Sequence, residues 1–93
     1  MGDKVSVPIT KKTKHIIFND KLAVCFDSSG EVIEVYELTY NNDMDHLYGE
    51  EIVEALKKIN IRVSRGEKIY KHQFSGKGFK SADVADYSDS GTA

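Results

Sequence analysis

Apolar positions recur in short runs separated by turn-forming residues along the first forty positions, and their spacing predicts strands. Val5, Val7 and Ile9 take every second place in residues 4–9, which predicts a strand with Pro8 at its end or on an unpaired edge. The polar, basic run 10–14 predicts a loop. His15 to Asn19 reads as a second strand, with Asn19-Asp20 as the turn after it. Lys21 to Phe26 reads as a third, placing Leu22, Val24 and Phe26 on one side and Ala23 and Cys25 on the other. Asp27-Ser28-Ser29-Gly30 is a turn signal, with Gly30 free to take positive φ. Glu31 to Thr39 follows as a strand rich in β-branched and aromatic residues.

The period then changes. After a polar loop, Tyr40 to Asp45, the residues Leu47, Tyr48, Ile52, Leu56 and Ile59 recur at helical spacing, and Val53 and Ala55 widen the apolar face. This predicts an amphipathic helix over 46–59, with Asp45 as N-cap, Glu54 and Lys58 paired one turn apart, and Asn60 as the left-handed residue that ends it. Glu50, Glu51 and Glu54 fall early and Lys57 and Lys58 late, as the helix dipole favours. Ile61 to Ser64 and Lys68 to Phe74 read as two further short strands around an Arg65-Gly66-Glu67 turn. From Ser75 to Ala93 only Phe79, Val84 and Tyr87 offer apolar bulk, so that stretch is read as a flexible tail. The expected architecture is a small α/β (α+β) domain over residues 1–74 followed by the tail 75–93. It has a mixed, mostly antiparallel sheet of five to six strands, one helix on one face, and the order β-β-β-β-α-β-β.

Composition changes the picture mainly through charge. The 93 residues carry a formal net charge of −2, but that figure hides a strong division. Between Lys21 and Lys57 there are nine carboxylates and no lysine or arginine, whereas residues 57–80 carry eight basic groups against Glu67 alone. Two readings follow. The acidic strand 31–39 and the basic strand 68–74 can lie close and compensate each other. Alternatively, Arg62, Arg65, Lys68 and Lys71, interleaved with Tyr70, His72 and Phe74, form a surface for a polyanion. The acidic overall balance disfavours nucleic acid. The longest apolar run is far below a membrane span, and a single cysteine excludes an intramolecular disulfide and suits a reducing cytoplasm.

Candidate chemistry is sparse. Asp43-Met44-Asp45-His46 offers metal-ligand types without the further ligands a calcium or zinc loop needs, and helix capping accounts for Asp45 without a metal. Cys25, in an apolar strand with no base supplied by a motif, reads as a buried hydrophobe. Gly76-Lys77-Gly78 lacks the strand–loop–helix context of a phosphate loop. No complete catalytic motif is present, so the expectation is a protein that is not an enzyme.

The order of signals resembles the dinitrogenase iron–molybdenum cofactor-binding family, whose fold is ribonuclease H-like, over residues 4–66. The run Lys4-Val5-Ser6-Val7-Pro8-Ile9-Thr10 is similar to that family's opening strand. Phe18-Asn19 followed by Leu22 to Asp27 is similar to its Phe-Gly and the next strand. His46 to Ile59, with Gly49, is similar to its helix. The His15 to Phe18 spacing departs from the family pattern, and the second half of the family's fold is missing. The resemblance implies an accessory protein carrying a metal–sulfur cofactor, with His15, His46 and Cys25 as the groups able to touch a cluster. The alternative is a protein-interaction module or inhibitor, such as a mobile-element protein, with Glu31, Glu34, Glu37 and Tyr36 at its contact surface, where Tyr36 and Tyr40 either make the contact or simply fill the sheet face. Another protein is the expected partner, and pairing of an edge strand into a homodimer stays open.

Overall fold

The computed structural model describes residues 7–74 and 79–84. Its elements are β1 (His15–Asn19), β2 (Leu22–Phe26), β3 (Val32–Leu38), β4 (Met44–His46), α1 (Glu50–Lys58), a 3₁₀ helix (Lys71–Phe74) and β5 (Lys80–Asp83). The strands form one antiparallel sheet in the order β4-β3-β2-β1-β5, and α1 lies on one face, a small mixed α+β fold as expected.

Alternation along β1 and β2 sorts the core into two layers. Ile17, Leu22, Val24, Phe26 and Val35 face α1 and pack with its buried Ala55 and Leu56. Ile16, Ala23, Cys25 and Tyr36 face the other way and are closed by Val7, with Ile9 beside it. The register slips between Cys25, opposite Glu34, and Phe26, opposite Val32. The extra residue, Ile33, is a β-bulge, so Ile33 and Glu34 both reach the second layer while Val32 stays with the first.

Local chemistry explains the turns and helix ends. Asp27 Oδ1 accepts bonds from the Ser29 amide at 2.9 Å, the Ser29 hydroxyl at 2.7 Å and the Glu31 amide at 3.0 Å. The Ser29 hydroxyl first, and then the Glu31 amide, hold its carboxyl below the usual value. Gly30, at φ 90°, completes that turn. At the end of α1 the Ile61 amide reaches the Leu56 carbonyl at 2.9 Å and the Asn60 amide reaches Lys57 at 3.0 Å. With Asn60 at φ 68° this is a Schellman closure, and Leu56 and Ile61 meet in the core as that motif requires.

Several expectations are corrected. Residues 4–6 lie outside the described residues, and 7–9 form no strand, serving instead as an extended strap over the second layer. The first hairpin turns at Asp20-Lys21, since Asn19 pairs with Leu22. The helix is 50–58 and not 46–59: Asp45 sits in β4, Gly49 is the N-cap, and Glu51 Oε1 accepts the Tyr48 amide at 3.0 Å. Glu54 and Lys58 form no ion pair among those of the described residues. Ile61 and Val63 are buried, as their alternation requires, but β3 and β1 are already flanked in the sheet, so this stretch lies over the face without a ladder. Residues 68–74 make only one bridge, Glu31 to Tyr70, before Gln73 Oε1 takes the Tyr70 amide at 2.8 Å and turns the chain into the 3₁₀ helix. The boundary after residue 74 also fails, because β5 pairs with β1 from Phe18–Lys80 to His15–Asp83. Residues 75–78 and 85–93, read as tail, lie outside the described residues.

Gly49 has φ 57° and ψ −123°, a region other residues enter only under strain, and a Cβ there would meet nothing within 4 Å. Gly49→Ala is therefore expected to cost about 1–3 kcal/mol through backbone strain alone. A thermal melt checks this, and an unchanged Tm would remove the strain argument.

Candidate functional site

The three groups expected to touch a cluster are not brought together. His15 lies on the α1-side layer at the β5 edge, where its Nδ1 is 2.9 Å from Asp83 Oδ1. Cys25 is fully buried in the opposite layer. Burial first, and the charge of Glu34 second, push its thiol from 9.0 up to about 12, so it stays protonated at neutral pH. His46 is on β4 between two tyrosine rings, 4.6 Å from Tyr36 and 4.3 Å from Tyr48 between centroids. Among the described residues no group of three or more His, Cys, Asp or Glu side chains converges as a metal would need.

The basic segment is partly neutralised by the acidic one. Lys68 Nζ stands 4.0 Å from Glu31 Oε2, and the Val32 amide bonds to the Ile69 carbonyl at 2.8 Å, so the two segments meet at the start of β3. Arg65 pairs with Glu50 at 2.9 Å between exposed side chains, a contact worth about 0–1 kcal/mol. The aromatic stripe expected at 70, 72 and 74 does not form. Phe74 is buried against Phe26, and Tyr70 stacks on His72 with centroids 6.0 Å apart. Arg62, Arg65, Lys68 and Lys71 are all exposed, but without a row of open rings beside them.

On the acidic side, Tyr36 proves to be a core residue and not a contact residue. Its hydroxyl lies 3.1 Å from the Pro8 carbonyl and 3.0 Å from Glu34 Oε1, so its one proton fastens either the strap or the carboxylate. Burial, and then Glu34, raise the Tyr36 pKa well above the usual phenol range. The exposed aromatics are its neighbours. Tyr40 is 96% exposed and Tyr48 65%, one on each side of β4. Glu37 stands directly opposite Asp45 across β3 and β4, a like-charge pair that opposes the pairing it sits in. Neither carboxylate belongs to an ion pair among the described residues. Asp43, Glu50 and Glu51 are also exposed, Glu50 in its pair with Arg65. On its outer side β4 pairs with no strand among those described.

This edge went unseen in the sequence because β4 has only three residues, with one apolar member. Its signal was local. Thr39 Oγ1 accepts the Asn41 and Asp43 amides at 3.2 and 3.1 Å, and Asn42 takes φ 68°, which are hairpin-turn features a Thr-x-Asn-Asn-Asp run supports. Comparison with protein-family models, curated proteins and solved structures returns no significant match to this chain.

Proposed function

We propose that the protein is a non-enzymatic protein-interaction module that receives an extended, basic segment of a partner along the outer edge of β4. The single observation carrying this reading is the unopposed Glu37–Asp45 pair on an edge strand flanked by two open tyrosines. An added strand would use the free backbone groups of β4 for affinity. Lysine or arginine at alternate positions would relieve the like-charge opposition, and Tyr40 and Tyr48 would supply the rigid aromatic contact common at binding hot spots. The metal–sulfur carrier reading draws no support from the geometry, since its three donors occupy separate parts of the fold. Nucleic-acid binding through 57–80 loses its stacking surface with Phe74 buried.

An extended peptide of alternating lysine and valine, titrated into isotope-labelled protein, is expected to shift the backbone amides of 43–48 saturably. The binding should weaken with salt, and the glutamate–valine counterpart should fail to bind. The Tyr40→Ala, Tyr48→Ala double variant is expected to lower affinity at least about tenfold. Shifts confined to 57–71, or none, would overturn the reading. Among the described residues no helix is long and apolar enough to cross a membrane.

A further inference from the structure

A groove of about 370 Å³ opens at the other edge of the sheet, between β1, β5 and the 3₁₀ helix. Part of its lining is apolar. Ile17 and Phe74 are buried there, and Phe79, half-buried, meets Phe74 edge-on at 6.1 Å between centroids and 74° between planes. The polar part of the lining comes from three elements: His15 of β1, Ser81 of β5, and Lys71 and His72 of the 3₁₀ helix.

The His15 ring is held in place. Its side chain is 17% exposed, and Nδ1 faces the Asp83 carboxylate at 2.9 Å, while Asp83 itself is 71% exposed. The carboxylate can only accept, so Nδ1 carries the proton between them, and the ring's other nitrogen, Nε2, is a second donor only when the ring is protonated. The register sets His15 opposite Asp83 and Ile17 opposite Ser81, which puts the serine on the same face and diagonal to the imidazole. The His72 ring is steadied by its stack on Tyr70. A metal is not the natural occupant, because the described residues contain no cluster of three or more suitable ligands.

We propose that this groove is a binding site for a small aryl phosphate, its ring against Phe79 and Ile17 and its phosphate among Lys71, Ser81 and His72, with His15 as a further donor in its protonated form. Polar groups drawn from three elements of the fold suit the three oxygens of a phosphate better than the planar pair of a carboxylate. The adjoining apolar wall accepts a ring in offset or edge-on contact, as small-ligand sites commonly do. The site lies at the opposite edge of the sheet from β4, and its success or failure is independent of the peptide titration.

The test is a titration of labelled protein with phenyl phosphate, inorganic phosphate and benzyl alcohol, read at the imidazole nitrogens and the Phe79 amide. Phenyl phosphate is expected to shift the His15 and His72 nitrogens and Phe79 saturably, with inorganic phosphate at least about fivefold weaker and benzyl alcohol inert. Lys71→Ala and Ser81→Ala change exposed residues and should keep the backbone spectrum, yet each should weaken phenyl phosphate about fivefold or more. Lys80→Ala, on the opposite face, should leave it unchanged. A phosphotyrosyl peptide in place of phenyl phosphate separates the two sources of such a group, tighter binding assigning it to a protein side chain. No saturable shift at ~10 mM, equal binding of inorganic phosphate, or indifference to both variants would overturn the proposal.

Discussion

Phe26→Ala is expected to lower the melting temperature by at least about 12 °C, since deleting a buried phenylalanine costs about 3–5 kcal/mol and each kcal/mol moves Tm by about 4–8 °C at this size. Phe26 is fully buried where three parts of the chain meet. It pairs with His15 across the first hairpin, meets Phe74 of the 3₁₀ helix edge-on at 5.4 Å, and lies opposite Val32 at the bulge. The cavity would thus loosen the sheet and the segment after α1 together. A domain with total stability of about 5–15 kcal/mol has little margin for that loss. Phe26→Leu keeps most of the volume and is expected to cost less than half as much. Tyr40→Ala, at an exposed position, should stay within about 0.5 kcal/mol of the parent. Thermal and urea melts of the three variants check the ranking, and a Phe26→Ala melt close to the parent would show that the core is anchored elsewhere.

The second large effect is alkaline loss of stability. The buried Cys25 thiol has its pKa pushed from 9.0 up to about 12, chiefly by burial and secondarily by Glu34. Tyr36 is raised from 10.0, first by burial and then by its hydrogen bond to Glu34. A folded-state pKa above the unfolded value means that the folded protein keeps a proton the unfolded chain releases. The resulting stability is whole below pH 9 and drains as pH climbs from 9 toward 12. For Cys25 the loss is up to about 4 kcal/mol across that window, at about 1.4 kcal/mol per pH unit. Urea unfolding at a series of pH values is expected to show a shallower alkaline decline for Cys25→Ala than for the parent, with the Tyr36 share remaining. All other side chains are common to both proteins, so their contributions cancel in the comparison. Parallel declines would mean that the thiol is not the group responsible. At neutral pH a thiol reagent should react with Cys25 only as fast as the protein opens.

What was legible follows from how strongly each segment declared its own period. Leu22 to Phe26 was legible as a strand because a run of five apolar residues closed by the Asp27-Ser28-Ser29-Gly30 turn signal is too short for a helix. Asn60 marked the end of α1, since a left-handed residue after a helix is a local steric matter. The start of α1 was misplaced because Leu47 and Tyr48 share its spacing by coincidence: Leu47 is buried from the loop, and Tyr48 points to solvent. Ile61 and Val63 read as a strand because alternation reports a half-buried extended chain, and only tertiary context decides whether a ladder position is free. The tail reading failed at 80–83 for the converse reason. Lys80, Ser81 and Asp83 have little apolar content, and what orders them is the open edge of β1, with His15 meeting Asp83 across it. The charge blocks were legible as blocks. Their meeting at Lys68 and Glu31 agreed with mutual compensation, while the uncompensated carboxylates on β3 and β4 depended on a hairpin too short to see.

The place of β5 has a consequence for synthesis. β1 and β2 can pair once residue 26 has left the ribosome, but the outer edge of β1, carrying Ile16 and Ile17, gains its β5 partner only when residue 83 has followed. At about 5–20 residues per second that edge stays open for several seconds in every nascent molecule. An open apolar edge is a template for pairing with another chain. Closing it with a strand of Lys80, Ser81 and Asp83 gives the sheet a charged border there, so the hazard belongs to the making of the molecule and ends when β5 docks.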